Sequence, residues 1–276
     1  FIADQPKDLS SGRLYAAKWV QTSAENGGAA DLEWIDLGHA DNAAMRKAIE
    51  EDNISFSSIF ATAQPDAATG ACEAGFTSIN TTDGHECLQL KPSMDTIASR
   101  LETRRYAAYK GATTEFRKEE GITLDPDNKI LYVAMSEVNK GMLDNDKADL
   151  GGPNHIRLPQ NDCGTVYKLE LVSNSAIGSD YVAKNMVGLV NGEPTTYPQD
   201  SEFAGNTCHV DKIANPDNVT FMPGRDTLII GEDTGDGHQN DAIWAYTVGT
   251  DTLTRIQTTP YGSETTSPYF YPNING

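Results

Sequence analysis

The chain has 276 residues, 38% hydrophobic and 22% charged, enough apolar mass for one large or two small cores. Acidic residues outnumber basic ones 40 to 21, for a formal charge of -19 and a pI near 4.5. That field repels nucleic acid and anionic membranes and argues against both as partners, while such an excess of carboxylates can also collect divalent cations.

The first residues, FIADQPKDLSSG, lack the charged start and apolar stretch of an export signal, so a soluble chain beginning past any such signal is expected. GRLYAAKWV, at 12–20, alternates apolar and polar side chains and predicts a strand, with LEWIDLG at 32–38 as its hairpin partner. DNAAMRKAIEE, at 41–51, predicts a helix with Asp41 as N-cap. Cys72 and Cys87 then enclose a short polar loop. A disulfide there would suit an oxidising compartment and stabilise a loop with little core of its own by about 3 kcal/mol. Cys163 and Cys208 are the second pair if all four are oxidised, and buried free thiols are the alternative. With no CxxC and no Cys/His finger spacing, zinc is not indicated.

Residues 93–110, SMDTIASRLETRRYAAYK, repeat apolar side chains at helical spacing and predict one helix, with Gly111 as its C-cap. Short strands follow between Asp, Asn, Gly and Pro turns: GITLD, KILYVAMSE, TVYKLELV, NVTFM, DTLIIGED, AIWAYTV and TLTRIQT. Strands so spaced, without intervening helices, predict an all-β repeat, sandwich or propeller. A repeat selects the propeller. Thr123 placed over Thr220 aligns Leu124 with Phe221, Pro126 with Pro223, Leu131 with Leu228 and Glu120 with Asp217. The offset fits either two blades or one blade carrying a long insertion.

In such a blade the strand after the acidic residue is innermost, so Glu120 and Asp217 enter the axial channel at one depth. Converging carboxylates repel unless a cation bridges them, and calcium, with Asn218 offering an amide oxygen, is the simplest solution. Asp217 and Asn218 equally build an NPDN turn. Glu232 and Asp233, at a strand end in GEDTGDGHQND, are further candidate ligands, although the spacing fails as an EF-hand and a solvated loop is the plainer reading. Arg117 and Lys118, just before Glu120, are candidates to grip an anion, as is Lys18 between apolar neighbours; surface charge is the ordinary fate of each. The five histidines lie in five separate loops without metal-ligand spacing, and no serine-hydrolase, Walker or dinucleotide motif is present.

SGRLYAAKW with LEWIDLGH, ETRRYAAYKGAT leading into RKEEGITLDPDNKILYVAMSE, and ANPDNVTF followed by LIIGEDT resemble the PhoX-type alkaline phosphatases, in the family's order and over nearly the whole chain. The resemblance implies an all-β, six-bladed β-propeller with helical insertions, an iron and calcium cluster in its channel, twin-arginine export to a periplasmic or extracellular location, and hydrolysis of small phosphate esters. It places Glu120 at the metal-binding glutamate of the family's R-x-E motif and Asp217 at the aspartate of its N-P-D stretch. Lys118 stands where the family has arginine, and none of the four cysteines matches its iron-binding cysteine. Family members are longer, so the chain reads as the C-terminal portion of one propeller domain, 1–276, with a helical and disulfide-bonded insertion at about 41–111, and as a monomer. The implied chemistry is metal catalysis of phosphoryl transfer to water, with no side-chain nucleophile. A single-calcium lactonase-like propeller and a non-catalytic calcium-binding scaffold are the rival readings.

Overall fold

The computed structural model describes residues 1–81 and 84–274. Its first strands are β1 (Ile2–Gln5), β2 (Asp8–Ser23) and β3 (Ala29–Asp41), with β2 and β3 forming the expected hairpin. Helix α1 (Asn42–Glu50) starts where predicted, and the Asp41 carboxylate accepts from Ala44 N at 2.7 Å as its N-cap. Helix α2 (Phe56–Ile59) and strands β4 (Phe60–Ala63), β5 (Thr77–Thr81) and β6 (Gly84–Leu90) follow, the strands joining in the order β4-β6-β5. The predicted polar loop around Cys72 and Cys87 is thus in large part a sheet, with Cys87 inside β6. It also has a core, in which Leu37, Ile59, Phe60, Ile79, Leu88, Ala98 and Tyr106 pack together. Residues 82–83 of that loop lie outside the described ones.

The single helix predicted over 93–110 is two, α3 (Asp95–Leu101) and α4 (Thr103–Tyr109), broken at Glu102 (φ -130°, ψ 44°). The Thr103 hydroxyl donates to Ser99 O and the Ser99 hydroxyl to Thr96 O; such back-bonding competes with the helical ladder at the break. Gly111, at φ 93°, ends α4 in the left-handed region, as its position predicts.

Next come β7 (Glu119–Asp125), β8 (Ile130–Met135), β9 (Thr165–Asn174), β10 (Ser179–Ala183) and β11 (Asn185–Asn191). β7, β8 and β9 form a meander whose outer edge is shared by β10 and β11. Through β11 it continues into β3, β2 and β1, making one eight-stranded, strongly curled sheet. A second meander, β12 (Pro216–Met222), β13 (Thr227–Glu232), β14 (Ala242–Thr247) and β15 (Thr252–Thr258), stands beside the first. The fold is all-β and mostly antiparallel, with few helices; two meanders do not close a ring. No described helix is long and apolar enough to cross a membrane.

The repeat read from the sequence is a repeat of register. Ile122 faces Val133, Thr123 faces Tyr132 and Leu124 faces Leu131, while Val219 faces Ile230, Thr220 faces Ile229 and Phe221 faces Leu228. Both hairpins also break register at the same place, between Glu119 and Ile122 and between Pro216 and Val219. The offset therefore spans one meander, lengthened by the insertion between β8 and β9, rather than two. Strand period fixes the packing: Tyr132 and Ala134 face the second meander, where Tyr132 stacks on Phe221 at 5.7 Å, and Val133 and Met135 face the core around Trp19 and Tyr167.

Candidate metal centre

Glu120 and Gly121 occupy the register break of β7, and Asp217 and Asn218 occupy that of β12. A β-bulge turns a side chain out of the ladder, so both acidic residues are re-aimed by the same local device. The two breaks touch. A Cβ on Gly121 would fall 2.4 Å from Asp217 O, 2.8 Å from Val219 N and 2.9 Å from Asn218 Cα, so only glycine lets β7 approach β12 this closely. Phe221 N donates to Thr123 Oγ1 at 3.0 Å, and the Ser136 hydroxyl donates to Pro216 O at 3.1 Å, fixing the pair in place.

Asp217 is held above the usual carboxylate range by partial burial first, then by the negative charges of Glu120, Asp233 and Glu264, with Lys118 acting in the opposite sense. Glu120, which is exposed, and Asp233 thus lie near enough to Asp217 for their charges to act on it. Glu264 joins them from the C-terminal segment, where neither repeat nor turn signal marked it. Thr265, next to Glu264, anchors that segment by donating its hydroxyl to Glu232 O at 2.8 Å.

Beside this group opens a cleft of about 610 Å³ whose lining includes Lys118, Glu137, Asp162, Asn215, Asp233 and Asp236. Asp162, Asn215 and Glu137 escaped the sequence reading because loops deliver them. Asn215 bridges both meanders, donating to Ser136 O at 3.0 Å and Asp162 O at 2.9 Å. Its neighbour Cys163 is disulfide-bonded to Cys208, and Cys72 to Cys87, both as paired in the sequence. Closing a chain loop of 45 residues, the Cys163–Cys208 bond stabilises the cleft wall by about 4 kcal/mol in the chain-entropy account. Cys72, His85 and Cys87 also lie together, but the two sulfurs are bonded to each other.

Four sequence candidates sit differently from expectation. Glu232 is wholly buried, and its oxygens accept from Ala214 N (2.8 Å), Trp244 Nε1 (2.6 Å) and Ala242 N (2.8 Å) and lie 2.9 Å from His238 Nδ1. A carboxylate so occupied is a core fastener, and it does not line the cleft. Asn218 Oδ1 accepts from Ser267 N at 3.0 Å and its Nδ2 contacts Asp217, so it restrains the aspartate. Arg117 Nε lies 3.1 Å from Glu137 Oε2, which partly satisfies its charge. Lys18, on β2, pairs with Glu33 across the β2–β3 ladder at 3.2 Å and does not line the cleft. Lys118 remains, exposed at the cleft with a left-handed backbone (φ 51°), and its carbonyl accepts from Ser136 N.

The donor set is carboxylate and carbonyl oxygen, which suits a hard cation, and the disulfides leave no thiolate among the described residues. Burial raises several acids elsewhere, Glu115 to about 7 and Asp149 and Asp241 to about 6. A folded-state pKa above the unfolded one means the native state binds more protons, so metal-free stability falls as pH rises from about 4 through about 7. Asp4, Asp8 and Asp66 are shifted down, chiefly by side-chain hydrogen bonds, but at exposed positions where solvent weakens the effect. The urea midpoint in chelator is therefore expected to be higher at pH 5 than at pH 8; a midpoint rising over that range would refute the burial of these acids.

No curated protein and no solved structure matches the chain. The model of the family described as Alkaline phosphatase PhoX does, over residues 4–275, a span that takes in both register-matched hairpins and the cleft between them, and the chain belongs to that family.

Proposed function

We propose that this chain supplies one wall of the axial metal site of a six-bladed β-propeller, as the C-terminal portion of that domain with residues 41–111 as an insertion, and that the site hydrolyses small phosphate monoesters. The observation that carries the reading is the placement of Glu120 and Asp217 in equivalent bulges of two touching hairpins, with the charge of Glu120 acting on Asp217. Calcium, and the iron that membership in the family suggests, would be held by Glu120, Asp217 and Asp233, with Glu264 at the edge. When bound, the cations neutralise phosphate oxygens and activate the attacking oxygen.

The chain's own residues do the rest. The Gly121 contact fixes the carboxylates before substrate arrives, so little reorganisation is needed. Lys118 projects the cleft's cationic group, and its ammonium is positioned to take a phosphate oxygen as a point charge. Arg117, engaged by Glu137, orients the segment that presents Lys118. Glu137, Asp162 and Asp236 repel polyanions from the same cleft, which favours small monoesters over nucleic acid. Two disulfides agree with an oxidising, periplasmic or extracellular location. Twin-arginine export and a monomeric working state are part of the same proposal.

The test is hydrolysis of p-nitrophenyl phosphate, with and without calcium, by the complete propeller that contains this chain, beside elemental analysis of that protein for calcium and iron. Calcium-dependent cleavage is expected, with kcat/KM falling at least about 100-fold in Lys118→Ala or Glu120→Gln. Cleavage of lactones but not phosphate esters, or full activity in Glu120→Gln, would overturn the assignment.

A further inference from the structure

A second pair of carboxylates lies apart from the one just described. Glu115, in the connection from α4 to β7, is 2% exposed. Its Oε1 accepts from Ile156 N at 3.0 Å, whereas its Oε2 is buried without a hydrogen-bond partner. The nearest basic atom, His155 Nδ1, is 3.7 Å from that oxygen and already 2.9 Å from Thr113 Oγ1. Asp149, closing the 3-10 turn Lys147–Asp149, likewise has a buried Oδ2 with no partner.

The two residues meet over Gly141. A Cβ there would lie 2.6 Å from Asp149 Oδ1 and 2.9 Å from Glu115 O, so two oxygens, one from each acidic residue, border one spot that only glycine leaves open. The charge of Asp149 is the strongest charge acting to raise Glu115, while Arg157, the cation that opposes it, donates its Nη1 to Asn154 O. A buried carboxylate and a half-buried one, each with a buried orphan oxygen, are costly to keep charged unless something positive stands between them.

We propose that Glu115 Oε2 and Asp149 Oδ2 hold a structural calcium ion, separate from the Glu120 and Asp217 centre. Two carboxylates balance its charge, and the Glu115 carbonyl, which borders Gly141 together with Asp149 Oδ1, is a neutral oxygen of the kind calcium accepts in its irregular shell. The ion ties the β8–β9 insertion to the chain five residues ahead of Glu120, so it braces the start of β7.

The test is calcium stoichiometry by equilibrium dialysis and melting temperature with calcium or chelator, for the unchanged protein and for Glu115→Gln, Asp149→Asn and Asp217→Asn. Glu115→Gln preserves the acceptor for Ile156 N and is expected to fold. Each of the first two variants should bind one ion fewer per chain and lose part of the calcium-induced rise, about 5 °C at calcium well above Kd. Asp217→Asn should retain that part, which keeps this site distinguishable from the other. Unchanged stoichiometry in both Glu115→Gln and Asp149→Asn, or higher melting of both in chelator with undiminished calcium binding, would show a shared proton instead of an ion and overturn the proposal.

Discussion

Glu232→Ala is expected to cost more than about 4 kcal/mol and Glu232→Gln about 3, both largely independent of calcium. The side chain is wholly buried and its two oxygens serve the backbone of Ala214 and Ala242 and the rings of Trp244 and His238. Alanine strands four polar groups in a site water does not reach, each worth about 1–3 kcal/mol when left unmade. Glutamine keeps the shape but turns an NH2 toward donors that need an acceptor. Urea unfolding with and without chelator checks this. A ligand role would give the reverse, a small cost in chelator and a large loss in calcium.

That residue also marks where sequence reasoning stops. The strand period, the Asp41 cap, the Gly111 stop and the 97-residue repeat were legible because each is a local or periodic property of the chain. The repeat carried furthest, since equal spacing from Glu120 and Asp217 to their hairpin partners means equal register, and equal register puts both in the same bulge. Glu232 and Asp233 are adjacent and look alike in sequence, but successive strand-end side chains face opposite ways. One entered the core and the other the cleft. Glu264, Asp162 and Asn215 had no spacing to betray them, because a tail and two loops bring them in. The three-stranded sheet β4-β6-β5 was hidden by its length: strands of four to seven residues in Ser-, Thr- and Asn-rich sequence carry little periodic signal, and their partners lie across loops.

Glu120→Gln and Asp217→Asn are expected to change stability with opposite signs in calcium and in chelator. Without an ion, Glu120, Asp233 and Glu264 all raise the cost of ionising Asp217, so neutralising either Glu120 or Asp217 relieves repulsion and the variants melt at or above the unchanged protein. With calcium the same substitutions remove a ligand. Binding weakens, the stabilisation contributed by mass action shrinks, and the variants melt lower. A purely structural contact between β7 and β12 predicts one sign in both conditions, because a lost packing or hydrogen-bonding partner is lost whether or not an ion is present. Gly121→Ala supplies that comparison, since it forces the two strands apart at Asp217 O and should lower the melting temperature with calcium and without it. Calorimetry on the three variants in both conditions therefore separates charge from packing. Glu120→Gln melting lower than the unchanged protein by the same amount with and without calcium would remove the cation from this site.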